Sequence, residues 1–458
     1  MSTIDQVPMT TDVQASTRRH LWMHFSDLTS FADREIPTIV RGEGTYVFDD
    51  KGKRYIDGLA GLYTVNVGHG RTEIADAVHR QMTELAYYPV WGFTTPPAAA
   101  LAQKISELTP GDLNRVFFTS GGSESVESAW KLACQYHGLR GKPSKVKIIA
   151  RSGAYHGSTL GALAVTGVAP FRAPFLPLLG NALHAPAVNN YHAEVSARQH
   201  ALDCANAVGA IIEAEGPDSV AAVIVEPVQS AGGCLVADPV YFARLREICD
   251  ANDVLLISDE TVCAWGRLGS FFGSAKIGYQ PDIITTAKGM TSAYVPMGAV
   301  IASDQIAEPF LHEGVIFEHG LTFGGHPTAA TAALANIAII ENEGLCDRAV
   351  SMGRTLREGL EELYRFPIVG DVRGDGLFYA IELVADRSTK EGLPSAVLAE
   401  WAKWVPGALL ERGLICRAIN RGGPTLQFSP PLTLNENDVD EIVNIVGSVL
   451  EVMSSQLV

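Results

Sequence analysis

Two short apolar segments that end in charged residues place the strongest constraint on how this chain can fold. Residues 255–258 lead into Asp259 and Glu260, and residues 283–287 lead into Lys288 and Gly289. Runs of this kind are typical of strands buried in a parallel sheet. Asp259 and Lys288 lie 29 positions apart, which leaves room for a crossover between neighbouring parallel strands. The pattern predicts a carboxylate and an amine at the carboxyl ends of two strands, where open α/β sheets bind ligands.

A lysine and an aspartate placed in this way suit an aldehyde cofactor that is held as a Schiff base. The lysine attacks the aldehyde, and the aspartate keeps the pyridine nitrogen of the cofactor protonated so that the ring accepts electrons. An isolated Lys or Asp at the end of a strand more commonly just faces water. The interpretation therefore depends on the motifs around Asp259 and Lys288.

Three further strands are predicted to deliver polar motifs to the same edge. Residues 116–119 lead through Ser120-Gly121-Gly122-Ser123-Glu124 into a helix, which makes either an anion site or an ordinary capped helix start. The strand at 146–150 precedes Tyr155-His156-Gly157, and an aromatic between glycines can lie against a planar ring. The strand at 221–225 ends in Glu226-Pro227.

The alternation of strands and helices from about 116 to 302 predicts an α/β fold with a large, mostly parallel, doubly wound sheet. From about 328 the pattern changes to that of a smaller α+β domain. Residues 39–57 read as a hairpin around Asp50-Lys51-Gly52. We predict an N-terminal segment (1–75) that completes the small domain, a large domain (76–327) and a C-terminal small domain (328–458).

Composition restricts the class of protein. The 458 residues are 47% hydrophobic and 19% charged, as in a globular protein, and the net charge of −16 argues against nucleic acid as a partner. No apolar run is long enough to span a membrane, and the polar start is not a secretory signal. Seven cysteines without C-x-x-C pairs predict reduced thiols and a cytoplasmic location. His20 and His24 have metal-ligand spacing but no third ligand nearby, so we predict no metal site.

Taken together, these motifs resemble those of the class III aminotransferases of the fold-type I pyridoxal phosphate enzymes. The subgroup with the greatest similarity is that of the ω-amine and ω-amino acid:pyruvate transaminases. The similarity extends from about Trp22 to the C-terminus and includes the segment Thr322-Phe323-Gly324-Gly325-His326-Pro327.

The resemblance implies a role for each motif. Lys288 would form the Schiff base with pyridoxal 5'-phosphate and move a proton between the substrate Cα and the cofactor C4′, Asp259 would hold the pyridinium, and Tyr155 would stack on the ring. Thr322 would reach the phosphate of a neighbouring subunit, which implies a homodimer with shared sites, possibly paired into a tetramer. The remaining residues expected to bind the cofactor are Ser120, Gly121, Gly122, Ser123, His156, Gly157, Glu226 and Thr261.

The resemblance also implies a substrate pocket. Arg417 matches a mobile arginine that binds a substrate carboxylate and swings away for an uncharged amine. Ala231 stands where transaminases acting on ornithine or 4-aminobutyrate usually carry a glutamate, which favours the amine:pyruvate subgroup. Thr261 occupies the place of a usual valine. The aromatics expected to line the pocket, each of which could equally be a core or interface residue, are Phe25, Tyr63 and Trp91.

We therefore expect a ping-pong transamination between small molecules, in which an amine or ω-amino acid donates its amino group and pyruvate accepts it. A different keto-acid acceptor, or a class III racemase or decarboxylase, is the nearest alternative, because the same cofactor supports those reactions. A serine hydrolase using Ser123 is a second alternative, although Ser125 replaces the second glycine of a G-x-S-x-G elbow. A catalytically silent scaffold is a third.

Overall fold

The computed structural model describes residues 12–32, 34–420 and 423–457, and its centre is a seven-stranded sheet. We number the strands of this sheet β1 to β7 in chain order. Their bounds are β1 Leu113–Thr119, β2 Lys147–Arg151, β3 Ala182–Ala185, β4 Val220–Val225, β5 Leu255–Asp259, β6 Ile283–Thr286 and β7 Gly298–Ser303.

The spatial order of the strands is β1-β7-β6-β5-β4-β2-β3. β5 pairs in parallel with β4 and with β6, and Asp259 lies opposite Thr285 on β6. β7 runs antiparallel to both of its neighbours, β6 and β1. The prediction that Asp259 and Lys288 follow neighbouring parallel strands is confirmed. Because β1, β2, β4, β5 and β6 point the same way, the residues that follow them share one edge of the sheet.

Helices cover both faces of this sheet. On one face, Ile149, Val223 and Leu256 pack against the helices Ala197–Glu215 and Val240–Ala251. On the other, Ile148 and Ile257 pack against the helix Gly122–Leu139. Neighbouring residues of a strand thus enter opposite cores, which explains the continuous apolar runs. The predicted doubly wound, mostly parallel sheet is confirmed.

The N-terminal strands differ from the predicted single hairpin. Tyr46–Asp49 and Arg54–Asp57 pair around the predicted turn, but Ile39–Glu43 folds back on Tyr46–Asp49 as a separate strand. A tight turn at Gly44, with φ of 56°, makes this reversal possible. The short strand Leu414–Ile415 joins this sheet beside Arg54–Asp57, so N-terminal and C-terminal segments are hydrogen-bonded to each other. The domain division stays a prediction.

A second four-stranded sheet, entirely antiparallel, contains the C-terminal strands in the order Val369–Asp375, Phe378–Leu383, Pro424–Phe428 and Arg417–Asn420. A two-stranded ribbon is formed by Val228–Gln229 and Leu235–Val236. The other helices are Val13–His20, Ala60–Tyr63, Thr72–Leu85, Pro96–Leu108, Leu160–Val165, Ala169–Arg172, Gly273–Ile277, Asp304–Ala307, Pro327–Asn342, Leu345–Glu361, Ser395–Glu411 and Glu436–Leu457. Within the described ranges, no helix is both long enough and apolar enough to cross a bilayer.

Candidate active site

Lys288 lies two residues beyond the end of β6, in a tight turn. Its φ is 48°, a left-handed conformation that is uncommon for a residue with a side chain and that concentrates at functional sites. Gly289 follows because a Cβ there would lie 2.4 Å from Nδ2 of Asn66. Burial lowers the pKa of Lys288 to about 8, and the charge of Arg417 acts in the same direction, whereas Asp259 opposes it. A good fraction of this amine is therefore neutral and nucleophilic near pH 8.

Asp259, the last residue of β5, is buried and stays ionised. Nδ1–H of His156 donates to Oδ2 at 2.7 Å, and the N–H of Thr261 donates to Oδ1 at 3.0 Å. Burial by itself raises the pKa of this carboxyl group, but the combined interactions with His156 and Thr261 outweigh it, so the pKa of Asp259 lies below its ordinary value. The sequence placed His156 among the cofactor-binding residues. In the structure its ring contacts Asp259, and its Nε2 is buried without a partner among the described residues.

The loop after β1 and the loop after β2 meet in a narrow cradle. A Cβ at Gly122 would lie 3.0 Å from Cγ2 of Thr261, and a Cβ at Gly157 would lie 2.5 Å from Oγ of Ser123. The helix Gly122–Leu139 begins here, so its free N–H groups and positive end face the cradle. Ser120 is different, because its N–H already donates to Oε2 of Glu124 at 2.7 Å.

Oγ of Ser123 accepts a hydrogen bond from the N–H of Ser158 at 3.1 Å. Over the part of the chain that the structure describes, no histidine ring contacts this hydroxyl. A serine nucleophile needs an adjacent base, so the geometry does not support the hydrolase alternative.

The turn after β4 borders the site on the other side of Asp259. Oε2 of Glu226 accepts from the N–H of Ser230 at 2.9 Å and from its hydroxyl at 2.6 Å, while Oε1 is buried without a partner among the described residues. Burial raises the pKa of Glu226 above its ordinary value. Ala231 follows in the same turn and is buried. It brings no charge to its position in the turn.

The Tyr63 ring lies close to both Lys288 and Arg417. Nζ of Lys288 lies 5.2 Å from the centre of the Tyr63 ring, and Cζ of Arg417 lies 5.7 Å from the same centre. Nη1 of Arg417 donates to the Tyr63 hydroxyl at 3.2 Å, and that hydroxyl donates to Oε1 of Gln427 at 2.6 Å. Sequence reasoning missed Gln427. The available signal was a glutamine within the apolar run of residues 424–428, which is a buried strand.

Aromatic residues form a chain that leads away from the buried site. Tyr155 meets Phe171 edge-on, with ring centres 6.1 Å apart, and Phe171 meets Phe25 at 4.8 Å. Phe171 was not predicted as a site residue. Phe25 is 70% exposed, so it lies at the outer end of this chain.

Trp91 and Thr322 lie on two neighbouring segments, around residues 87–91 and 320–322. Trp91 is 63% exposed and lies beside residue 320, because a Cβ at Gly320 would be 3.0 Å from its ring. Thr322 is exposed, and its carbonyl accepts a hydrogen bond from the Tyr87 hydroxyl. Neither side chain has a recorded contact with Lys288, Asp259 or Tyr63 in the described ranges.

The residues present fit pyridoxal 5'-phosphate on three structural observations. An amine of lowered pKa stands at Lys288, an ionised carboxylate stands at Asp259, and a glycine-lined cradle at a helix N-terminus faces them. Oγ1 of Thr261, next to Gly122, is a further buried polar atom without a partner in the described ranges. The amine suits the aldehyde of the cofactor, the carboxylate suits its pyridine nitrogen, and the cradle suits its phosphate. The fold and the site thus define a pyridoxal phosphate-dependent enzyme of fold type I.

Comparison with known proteins identifies the family. The family described as aminotransferase class-III matches residues 31–450, and the chain belongs to this family of pyridoxal phosphate-dependent aminotransferases. A relative named probable aminotransferase Rv3329, from Mycobacterium tuberculosis, is 51% identical over 95% of this chain and 93% of its own length. The putrescine–pyruvate aminotransferase of Pseudomonas aeruginosa is 35% identical over 96% of each chain. The ω-transaminase of Pseudomonas jessenii, solved in complex with PMP, superposes with a TM-score of 0.92 at 33% identity, covering 98% of this chain and 99% of its own.

The lowered pKa of Lys288 predicts how fast the cofactor-free protein captures pyridoxal phosphate at different pH values. Only the neutral amine attacks an aldehyde, so the rate rises with pH and levels off above about 8 rather than near 10.5. Stopped-flow absorbance measures this rate. Arg417→Leu removes a neighbouring positive charge and should move the midpoint to higher pH. A midpoint near 10.5 in the unsubstituted protein would contradict the prediction.

Proposed function

We propose that this aminotransferase is an ω-transaminase that moves an amino group from a primary amine or ω-amino acid to pyruvate by a ping-pong mechanism. The observation that carries this proposal is the guanidinium of Arg417 in the pocket of Lys288, where no acidic side chain pairs with it among the described residues. An unpaired guanidinium can bind the carboxylate of a keto acid. The name of the putrescine–pyruvate relative gives a primary amine and pyruvate as substrates, and the Pseudomonas jessenii protein is named an ω-transaminase, so both support the proposal.

When bound, pyridoxal phosphate supplies an aldehyde for condensation with amines and a pyridinium ring that withdraws electrons. Lys288 Nζ would hold the cofactor through its aldehyde and would move a proton between the substrate Cα and the cofactor C4′. Asp259, kept ionised by His156 and Thr261, holds the proton on the ring nitrogen. Tyr155 would pack on the cofactor ring, and the N–H groups of Gly121, Gly122 and Ser123 in the cradle would hold the phosphate.

Substrates occupy the space between Lys288, Tyr63 and Arg417. Arg417 fixes the carboxylate of pyruvate, which turns the carbonyl carbon toward the site of proton transfer. Ala231 brings no carboxylate to its own position in the neighbouring turn, so no side chain at this position competes for Arg417. The aromatic residues Phe25 and Trp91 border the route by which an amine donor enters, and in this proposal Trp91 comes from the second subunit.

A visible absorption spectrum tests the proposal. An amine donor should bleach the band of the lysine-bound cofactor, and pyruvate should restore it with formation of alanine. If 2-oxoglutarate restores the band and pyruvate does not, the acceptor is 2-oxoglutarate. The relative named diaminobutyrate–2-oxoglutarate transaminase has that acceptor in its name. Turnover of an amino acid without any keto acid would favour the racemase or decarboxylase and overturn the proposal.

We also propose that the active enzyme is a homodimer in which Thr322 completes the phosphate site of the other subunit. Exposed Trp91 and Phe323, 63% and 59% accessible, give the surface around Thr322 an apolar character that a second subunit would cover. Two such dimers pairing into a tetramer is compatible with this arrangement. The seven unpaired cysteines fit a reducing, cytoplasmic location.

Thr322→Ala should weaken the affinity for pyridoxal phosphate about tenfold, the worth of one hydrogen bond to a charged group. Equilibrium titration of the cofactor-free protein measures this change, and sedimentation should give a dimer mass for both proteins. A fully active monomer would contradict the shared site.

A further inference from the structure

We propose that Gln427 is a positioning residue that acts through the Tyr63 hydroxyl to hold Arg417 inside the pocket of Lys288. This pair of residues thereby sets how strongly the enzyme prefers substrates that carry a carboxylate. The inference rests on the proposed function, because it concerns the same substrate pocket. It adds a residue that no motif in the sequence pointed to.

The sheet geometry places Gln427 beside Arg417. The strands Arg417–Asn420 and Pro424–Phe428 are antiparallel neighbours, and Arg417 is the direct cross-strand partner of Gln427. Side chains of such partners project from the same face of the sheet. Gln427 is completely buried, so its position is fixed by packing.

The hydrogen bonds around Gln427 have a forced direction. Nε2 of Gln427 donates to the carbonyl of Ser230 at 2.6 Å, and a carbonyl can only accept. Oε1 of Gln427 therefore faces Tyr63, whose hydroxyl must donate to it at 2.6 Å. The single proton of the hydroxyl is thereby used, and its oxygen presents lone pairs to Nη1 of Arg417 at 3.2 Å. Gln427 thus turns the Tyr63 hydroxyl into an acceptor for the guanidinium.

This arrangement differs physically from a glutamate partner for the arginine. A carboxylate would neutralise Arg417 and would have to be displaced by the carboxylate of an incoming substrate. A neutral hydroxyl orients the guanidinium without cancelling its charge, so Arg417 stays available for a substrate anion. An uncharged amine gains nothing from the guanidinium, and it gains space only if the bond to Tyr63 breaks. The hydrogen bonds that link Gln427, Tyr63 and Arg417 therefore favour substrates with a carboxylate over amines without one.

The direct test is the affinity of the holoenzyme for propionate, a carboxylate that cannot react. Titration calorimetry compares the unsubstituted enzyme with Tyr63→Phe, Gln427→Met and the double variant. Each single variant should raise the Kd about tenfold, the effect of one hydrogen bond to a charged group. The Kd of the double variant should also rise about tenfold rather than a hundredfold, because both substitutions break the same chain of hydrogen bonds.

The matched control is Thr425→Val, two residues away on the same strand. Its hydroxyl is buried without a partner among the described residues, so the propionate Kd should stay within about twofold. Gln427→Met has a similar length to glutamine. The carbonyl of Ser230 also accepts from the N–H of Gly233 at 3.1 Å, so this variant does not leave it unpaired.

A second readout separates positioning from a general structural effect. Single-turnover bleaching of the cofactor band is followed with alanine and with 2-aminobutane, in which an ethyl group replaces the carboxylate. Tyr63→Phe and Gln427→Met should raise the half-saturating concentration of alanine about tenfold and leave that of 2-aminobutane unchanged or lower. Rates at saturation should change little.

The inference is overturned if the unsubstituted holoenzyme does not bind propionate. It is equally overturned if both single variants bind propionate as the unsubstituted enzyme does, or if alanine and 2-aminobutane are weakened equally. Failure of the proposed function gives a different result, because propionate binding needs no turnover. If no donor bleaches the band, the proposed function fails, and the propionate affinities alone decide the role of Gln427.

Discussion

Replacing Lys288 with alanine is expected to lower kcat by about 10⁴-fold or more. The variant loses both the amine that carries the cofactor and the base that moves the Cα proton. Burial of Lys288 lowers its pKa to about 8, so the folded state disfavours its charged form. Removing the side chain relieves that cost, and we expect no drop in Tm. The measurements are turnover with an amine and pyruvate, the cofactor absorption band, and thermal unfolding.

Two further variants make this result specific. Lys288→Arg keeps a positive charge and should be as inactive as the alanine variant, because a guanidinium is not a nucleophile at neutral pH. Lys104→Ala removes a surface lysine that pairs with Glu341 at 2.7 Å, and it should retain full activity. Turnover above about 1% in Lys288→Ala would be incompatible with the proposed role of this lysine.

Asp259→Asn is expected to lower kcat by about 10³-fold, the size of effect found when a fixed electrostatic contact to developing charge is lost. The shapes of the two side chains match, but the amide carries no negative charge to keep a ring nitrogen protonated. The substitution also removes the ionised oxygen that accepts a hydrogen bond from Nδ1–H of His156, at 2.7 Å in the unsubstituted protein. We expect the cofactor to remain bound through Lys288 and the phosphate cradle.

The absorption spectrum and half-reaction kinetics distinguish this outcome from loss of structure. The Asp259→Asn protein should show the lysine-bound band but bleach about 10³-fold more slowly with donor. Asp304→Asn is a suitable control, since Asp304 is exposed and pairs with Arg115 at 3.4 Å on the surface. An Asp259→Asn enzyme within about tenfold of normal activity would show that the carboxylate has no electronic role.

The two parts of the site are built in different ways. The end that holds Lys288 and Asp259 sits on buried neighbouring strands, and its groups are tuned by burial and by short hydrogen bonds. The end that holds Arg417 lies on a strand of the second sheet and is connected to the first by Tyr63. Substitutions at the first end should change the rate of chemistry, whereas substitutions at the second should change which substrates bind.

Much of the fold could be read from the sequence because its signals are local. Continuous apolar runs identified β4, β5 and β6, and spacing alone placed Asp259 and Lys288 on neighbouring parallel strands. The glycine and serine loop at residues 120–123 was recognisable as a helix start. The features that were not foreseen include the strand β3 and the reversal at Gly44. β3 is a four-residue edge strand that contains both apolar and polar residues, so it lacks a continuous apolar run. The reversal at Gly44 is a single turn within a segment whose apolar and polar residues otherwise alternate as in one strand.

The strand-end groups of the site could be predicted from the sequence, because burial patterns only a few residues long show where a buried strand ends. The tertiary structure alone decided which distant side chains meet. Tyr63 and Gln427 are 364 positions apart, and their hydrogen bond depends on packing of the N-terminal loop against the C-terminal sheet. Periodicity gives the face on which a side chain lies but not its partner across the molecule. For the same reason the sequence did not show that Trp91, which was assigned to the pocket, lies beside Gly320.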